Sequence, residues 1–274
     1  MTTNEAFTIE AGRAERNYWI DLWRFRELLG FLAWRDIKVR YKQTVLGACW
    51  ALIQPLVTLV VFTLVFGKMA RMPSGNSPYP LLVLAGLLPW QLFSNSLSGA
   101  SGSLFTNSHL ISKVYFPRLL VPLSAVAVAL VDFVIVLTLY FGMSVAYGYT
   151  PDWRVIVIPI YIFATLLASL GAGLWLAALT ARYRDFRFVV PFIVQVGVFL
   201  SPVGFSTMNV PNWRIAYSIN PVVGIIDGFR WCLLRADAPF YWPSQLIGML
   251  MTITLLYSGI RYFRSTERRL ADII

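Results

Sequence analysis

Long uncharged stretches alternate with short charged segments along the chain, and this alternation predicts membrane-spanning helices. About 20 apolar residues cross the roughly 30 Å hydrocarbon core of a bilayer as a helix. Six stretches qualify, with their ends placed by charges, prolines and glycines: residues 45–67, 81–104, 119–147, 155–181, 188–204 and 243–261. The pattern therefore predicts an all-α polytopic membrane protein with six transmembrane helices in a transmembrane domain of residues 44–262.

Two segments of this domain depart from simple spans. Residues 106–117 lie in a short inner loop that predicts a small cytoplasmic helix suited to docking on a soluble partner. Residues 205–235 are too apolar for a free loop and too rich in proline and glycine for a continuous span, so we expect broken re-entrant helices on the outer side. An ordinary loop lying on the bilayer is the alternative for this second segment.

The segment before the first span, residues 18–43, predicts an amphipathic helix on the membrane surface. Its apolar side chains recur every three or four positions, and it ends in the basic run Arg35-Asp36-Ile37-Lys38-Val39-Arg40-Tyr41-Lys42. An ordinary packing helix is the alternative. Residues 1–17 are polar, without the apolar core of a signal peptide, and are expected to be flexible; residues 263–274 predict a cytoplasmic tail.

Composition and charge support a membrane protein and predict its orientation. The chain is 58% hydrophobic and 13% charged, which leaves too little polar surface for a soluble nucleic-acid-binding protein. It carries 23 Lys and Arg against 13 Asp and Glu. With both termini in the cytoplasm, 17 of the 23 cations fall on the inner side, where Lys and Arg of membrane proteins concentrate.

The sequence offers no constellation for enzyme chemistry. His109 is the single histidine, so no His-based triad or HExxH motif exists and no metal site is expected. A GxxxxGK[ST] phosphate loop is also absent, so active transport would need an ion gradient or a separate ATPase chain. Asp132 is the one acid inside a predicted span, with no obvious cation nearby, and favours a structural or solvating role over a proton relay. Cys49 and Cys232 are expected to be free thiols.

Aromatic residues form 15% of the chain and recur with helical spacing along the fifth predicted span. Rings beside an amide on one helix face suit a sugar, which stacks and accepts hydrogen bonds, and they suit plain helix packing equally well. The candidate channel lining is Phe62, Phe66, Phe188, Phe192, Gln195 and Phe199, continued outside by Phe205, Trp213 and Tyr217 as a candidate outer gate.

Several motifs together give the chain a specific resemblance. They are Arg35 to Gly47 with Trp50 and Gln54-Pro55, then Gly86-Leu87-Leu88-Pro89-Trp90, Lys113-Val114-Tyr115-Phe116-Pro117-Arg118, Arg182-Tyr183-Arg184-Asp185 and Asn220-Pro221. From about residue 18 to its end the chain resembles the membrane subunits of bacterial polysaccharide-export ABC transporters. These are the Wzm-like, KpsM-like and TagG-like permeases of the type-two ABC exporter family.

The resemblance implies a permease that exports a lipid-linked polysaccharide, of O-antigen, capsule or teichoic-acid type, across the bacterial inner membrane. It implies a homodimer bound to two copies of a cytoplasmic ABC ATPase. ATP and Mg²⁺ would bind that partner, with no cofactor on this chain. The coupling helix to the ATPase would present His109, Ile111, Lys113, Tyr115 and Phe116, and the broken helices of residues 205–235 would close the channel outside.

The implied substrate, a glycan on a polyprenyl pyrophosphate, gives the basic run a candidate role beside membrane anchoring. Arg35, Lys38, Arg40 and Lys42 lie where a pyrophosphate would arrive. Two other functions stay open. One is a type-two ABC exporter of a drug or lipid. The other is a polytopic membrane enzyme of lipid-linked sugar metabolism, against which the sparse acids argue.

Overall fold

The computed structural model describes residues 18–42, 47–73, 75, 77–150, 152–183, 185–234 and 239–270. All regular secondary structure in these ranges is helical, which confirms the all-α class. The expectation for residues 1–17 lies outside the described ranges, as do the last four residues of the predicted tail.

Eleven α-helices with short π- and 3₁₀-helical segments make up the described chain. They are α1 (Tyr18–Arg24), α2 (Arg26–Lys42), α3 (Gly47–Phe62) continued by a π-helix (Thr63–Met69), α4 (Tyr79–Thr106), α5 (Ser108–Lys113), α6 (Leu120–Ala146), a 3₁₀-helix (Trp153–Val157), α7 (Ile158–Arg182), α8 (Phe186–Gly197), 3₁₀-helices Thr207–Asn209 and Pro211–Trp213, α9 (Arg214–Tyr217), α10 (Pro221–Leu233) and α11 (Trp242–Leu270).

Five helices are long and apolar enough to cross a bilayer: Ala51–Met69, Tyr79–Thr106, Leu120–Ala146, Trp153–Arg182 and Trp242–Glu267. They establish a polytopic membrane protein.

The region of the predicted fifth span is built differently. Helix α8 has 12 residues, about 18 Å of helix, and turns follow Gly197. This segment nevertheless follows the length of α4. At one end Arg187 lies 4.5 Å from the ring centre of Phe105, and at the other the hydroxyl of Tyr79 donates to the carbonyl oxygen of Gly204. The regular helix thus ends before residue 204, and a count of six spans stays a prediction.

Helix α4 is the centre of the bundle, and α3 lies at its edge. In the most apolar stretch of α4, 78% of the residues are buried. In that of the helix Ala51–Met69, 17% are buried. Helices α6 and α7 pack on α4, and α11 packs on α7. On α3 and the π-helix after it the side chains of Val57, Val60, Val61 and Leu64 are exposed. An apolar face of this kind marks contact with lipid or with another chain.

The two ends of the bundle carry different elements. At one end, here called the near end, α1 and α5 lie beside the last turns of α11, and α2 packs on α6. There the hydroxyl of Tyr18 donates to Glu267 (3.2 Å), and the backbone N–H of Arg118 donates to the same carboxylate (3.0 Å). The far end carries α9 and α10. The near end corresponds to the predicted cytoplasmic side.

The amino-terminal helices α1 and α2 present two different sides, and the membrane-surface position expected for residues 18–43 stays a prediction. One side packs on the bundle, where Leu22, Phe25 and Leu29 lie against the core around Phe116. The opposite side exposes a row of aromatic rings: Trp19, Trp23, Phe31 and Trp34. Such rings favour the interface between membrane and water.

Close backbone approach holds α7 against two neighbours. A Cβ atom added to Gly171 would lie 2.7 Å from the backbone nitrogen of Leu256 on α11, and a Cβ on Gly259 would meet the carbonyl oxygen of Gly171. A Cβ on Gly173 would lie 2.7 Å from the Cβ of Ala100 on α4. Small residues permit this approach, and packing contacts are what associates helices in a membrane.

We expect Gly259→Ala to lower the thermal unfolding midpoint of the detergent-purified protein, because the added methyl group forces α7 and α11 apart at a cost of about 1–3 kcal/mol. Gly142→Ala on α6 is the matched control, since a Cβ there would meet nothing within 4 Å. The control should keep or raise the midpoint. Equal midpoints for the two variants would contradict the close α7–α11 contact.

Candidate functional site

A cleft of about 730 Å³ opens between α3, α4, α6 and α8, beside the end of α2. Helices α3 and α4 each contribute a pair of lining residues four positions apart, which places each pair on one helix face. Helix α8 and the turn after it contribute a third pair at the same spacing. The pairs are Gln54 and Thr58, Gln91 and Asn95, and Gln195 and Phe199. Further rings come from Tyr41, Trp90 and Phe133. The cleft therefore offers amides for hydrogen bonds and rings for stacking.

Asp132 carries the one carboxylate in the described lining, and it is paired. Its Oδ2 lies 2.7 Å from Nη2 of Arg40, and its side chain is 8% exposed. The hydroxyl of Tyr41 donates to Oδ1, and the Asn95 amide donates to Oδ2 at 3.4 Å. The expectation that Asp132 has no nearby cation is therefore wrong. Helix α2 extends to Lys42, and its end reaches a point about 18 Å along α6 from Leu120.

Tyr41 acts as a hydrogen-bond donor in this group. Burial, together with the hydrogen bond to Asp132, raises the pKa of the Tyr41 phenol above its usual value. The hydroxyl therefore stays protonated at neutral pH and can donate to the carboxylate.

The four cations of the basic run do not form one site. Arg35 donates to Asp36 (2.7 Å) and to Asn107 (2.6 Å), and Lys38 lies 5.2 Å from the ring centre of Trp34. Lys42 is exposed at the end of α2. Of the four, Arg40 alone lines the cleft. The four cations therefore do not form a shared site for a pyrophosphate.

The aromatic face predicted for the fifth span is presented outward by α8 and the turn after it. Phe188, Phe192 and Phe199 are 77%, 65% and 62% exposed, and Gln195 is exposed too. Gln195 and Phe199 also line the cleft, whereas Phe188 and Phe192 do not. The four residues thus share a surface that continues the cleft wall.

Phe62 differs from the channel-lining role expected of it. It is 6% exposed, with its ring centre 5.4 Å from that of Phe66 and 6.1 Å from that of Phe199. Gly204 makes room for both rings, since a Cβ there would lie 2.9 Å from Phe62. Phe62 therefore supports Phe199 from behind, because α8 and its turn cover this side of α3.

The predicted outer-gate residues lie together at the far end. The ring centres of Phe205 and Tyr217 are 6.2 Å apart, and Trp213 is 72% exposed. They precede α10, most of whose side chains are buried. The segment is thus a set of short helices packed on the bundle.

Arg230 on α10 stabilises this segment, a role that sequence reasoning missed by counting it as an outer-side charge. The residue is 2% exposed and donates to the carbonyl oxygens of Val203 (2.8 Å) and Phe205 (2.7 Å). Weaker contacts of 3.4 Å reach the carbonyl of Leu82. Gly86 provides the space, since a Cβ there would lie 2.9 Å from Nη2 of Arg230. Gly86, in the motif Gly86 to Trp90, was the sequence feature that could have indicated a close packing partner at this point of α4.

Asp227, one turn before Arg230, completes this group of charges. It accepts a hydrogen bond from the hydroxyl of Thr207 (2.9 Å) and lies 3.9 Å from Nη2 of Arg214. The guanidinium of Arg214 in turn lies over the ring of Tyr241 at 3.7 Å. The group joins α9, α10 and the residues just before α11.

The predicted coupling helix corresponds to α5, and its expected contact residues divide into two sets. His109, Lys113 and Tyr115 are exposed at the near end. Phe116 is 5% exposed, and Ile111 packs against the core around Phe116. Contrary to the expectation, the side chains of these two residues face the bundle and not a partner. The apolar side of the segment serves to attach it to α1, α2 and α6.

These features define a multi-pass membrane protein with a polar cleft at its edge. The sequence model for the ABC-2 type transporter family matches residues 27–234, and the chain belongs to that family.

Its relatives match along almost their whole length. The O-antigen export system permease protein RfbA of Myxococcus xanthus is 28% identical over 257 residues, which covers 93% of this chain and 98% of that protein. A protein of the same name from Klebsiella pneumoniae is 26% identical, with 90% and 95% covered. The polysialic acid transport protein KpsM of Escherichia coli is 23% identical over 243 residues, with 85% and 91% covered.

We expect Arg230→Met to loosen α10, because each buried carbonyl that loses its donor costs about 1–3 kcal/mol. Cys232, 1% exposed and two residues from Arg230, reports this loosening. In a Cys49→Ser background, maleimide should label Cys232 faster in the Arg230→Met variant than in its parent.

Arg261→Met, at an exposed arginine of α11, is the control and should leave the labelling rate unchanged. Equal rates in all three proteins would show that Arg230 does not hold α10 in place.

Proposed function

We propose that this chain is the permease subunit of an ABC transporter that exports a lipid-linked polysaccharide across the bacterial inner membrane. The relatives named above, which match over nearly their full length, are O-antigen and polysialic acid export proteins. The structural observation that carries the proposal is the cleft of amides and rings continued by the exposed face of α8. Rings and amides recognise sugars by stacking and by hydrogen bonds.

Two copies of the chain enclose the transport channel in this proposal. A single chain presents a cleft open at its side, whereas a long polymer needs a passage walled on all sides. The exposed apolar face of α3 and the aromatic face of α8 border the cleft, so a second copy placed against them would close it. Phe188, Phe192, Gln195 and Phe199 then face the channel, and Phe205, Trp213 and Tyr217 lie at its outer end.

Energy comes from a separate cytoplasmic ABC ATPase, bound in two copies, which holds ATP and Mg²⁺. The sequence has no phosphate loop of its own. The exposed side chains of α5 and the residues after it form the docking surface, and the near end is the cytoplasmic side with both termini. Compounds of O-antigen, capsule or teichoic-acid type are the substrate class.

We expect Phe192→Ala with Phe199→Ala to reduce the amount of polysaccharide at the cell surface severalfold, because the growing polymer loses two stacking surfaces. Cells that express the chain with its ATPase provide the assay, by quantitative blotting of surface polymer. Phe163→Ala, at a 62% exposed phenylalanine of α7 away from the cleft, is the matched control and should export normally. Unchanged export in the double variant, with chemical crosslinking showing dimers, would refute the channel assignment.

We expect Lys113→Glu to weaken copurification with the ATPase and to lower export, because it reverses a charge on the proposed docking surface. Lys68→Glu is the control, at an exposed lysine in the last turn of the π-helix that follows α3. Its copurification with the ATPase should match the unsubstituted chain. Normal copurification and export for Lys113→Glu would exclude α5 as the docking element.

A further inference from the structure

We infer that Arg40 and Asp132 form a latch on the cleft that a diphosphate group opens by taking Arg40 away from Asp132. The inference rests on the proposed function, and it assigns the recognition of the lipid-linked diphosphate to one arginine. The arrangement in the structure is then the resting state, in which the carboxylate occupies the place of the substrate anion.

The first support is the unequal accessibility of the two partners. The side chain of Arg40 is 49% exposed at the cleft, whereas that of Asp132 is 8% exposed. An anion that enters the cleft can therefore reach the guanidinium without having to reach the carboxylate. Among the described lining residues, Arg40 and Asp132 are the charged ones, so Arg40 is the cation that such an anion meets there.

The second support is that Asp132 keeps other donors when Arg40 leaves. The hydroxyl of Tyr41 donates to Oδ1 and the amide of Asn95 to Oδ2. A buried carboxylate with no partner would be strongly unfavourable. Two neutral donors at the carboxylate lower that cost, so opening the ion pair does not strand a bare charge.

The third support is the chemistry of the competing anions. A guanidinium binds phosphate oxygens through paired, parallel N–H···O bonds, and a diphosphate offers more oxygens and more negative charge than one carboxylate. A neutral lipid or an uncharged drug would lack the group needed to displace Asp132.

The same helix connects the latch to the predicted coupling segment. Arg35 donates to Asn107, directly before α5, at 2.6 Å, and Arg40 contacts Asp132 five residues further along α2. Five helical residues span about 7.5 Å. Because α2 is continuous between these points, the proposal makes α2 the element that connects a change at Arg40 to α5. The latch thus gives the ATPase a signal that substrate has arrived.

The test uses the full complex of the chain with its ATPase in lipid nanodiscs. ATPase rate is measured against the concentration of added polyprenyl diphosphate, with polyprenyl monophosphate and inorganic pyrophosphate as separate arms. The variants are Arg40→Asp, Asp132→Arg, the double exchange and Arg40→Lys. Arg24→Gln, at an exposed arginine of α1, is the control.

We expect polyprenyl diphosphate to stimulate the wild-type and control complexes. Arg40→Lys should need at least tenfold more ligand, because lysine lacks the two-pronged contact. The double exchange should regain the thermal stability that each single exchange loses, because the ion pair is restored, yet it should not respond to diphosphate. A purely structural ion pair would instead give a double exchange that responds like wild type, and this result overturns the latch.

The separate ligands distinguish a lipid-linked diphosphate from inorganic pyrophosphate. The export assay distinguishes failure of the latch from failure of the proposed function. An equal response to inorganic pyrophosphate supports the latch and shows that recognition needs no lipid chain. A wild-type complex that exports polymer in cells but responds to neither diphosphate overturns the latch and leaves the proposed function standing. A chain that exports no polymer with its ATPase refutes the proposed function, whatever the diphosphate response.

Discussion

The requirement that backbone polar groups find partners inside a membrane governs this structure. Regular helices meet it along their own length, and non-helical backbone at that depth needs partners from elsewhere in the protein. The segment after Gly197 is where the chain leaves the helix. There the buried guanidinium of Arg230 donates hydrogen bonds to the carbonyl oxygens of Val203 and Phe205. The hydroxyl of Tyr79 donates a hydrogen bond to the carbonyl oxygen of Gly204. Arg230 and Tyr79 therefore provide donors for the backbone where the regular helix ends beside the cleft.

The position of the cleft follows from how the helices pack. Glycines on α7 let α11 and α4 approach its backbone, and α4 lies at the centre of the bundle, with 78% of its most apolar stretch buried. Helix α3 and the short α8 are left at the edge, with polar amides between them and exposed rings outside. An edge location is what a channel shared between two chains requires, since a passage through the centre of one bundle would disrupt its core.

Periodicity and the spacing of charges predicted the helical class, five of the long helices and the short helix at α5, because these depend on local properties. The pairing of Arg40 with Asp132 could not be predicted, since it joins residues 92 positions apart through the packing of α2 on α6. For the same reason the spacing of residues along the fifth predicted span indicated which of them share a face. It could not indicate that Phe199 covers Phe62 of the first span. The buried position of Arg230 could not be predicted, because the sequence around an arginine in an apolar stretch is the same whether its side chain is exposed at a membrane surface or buried in the core.

The near end is organised so that α5 lies between two fixed points. On one side Asn107 is bound to Arg35 of α2, and on the other the backbone N–H of Arg118 is bound to Glu267 of α11, which also accepts from Tyr18. Helix α5 is therefore joined to α4 and α2 on one side and to α6 and α11 on the other. Helices α7 and α11 are in close backbone contact, whereas the last residues of α2 are held to α6 through the side chains of Arg40 and Tyr41. Helix α2 therefore connects α5 to the cleft.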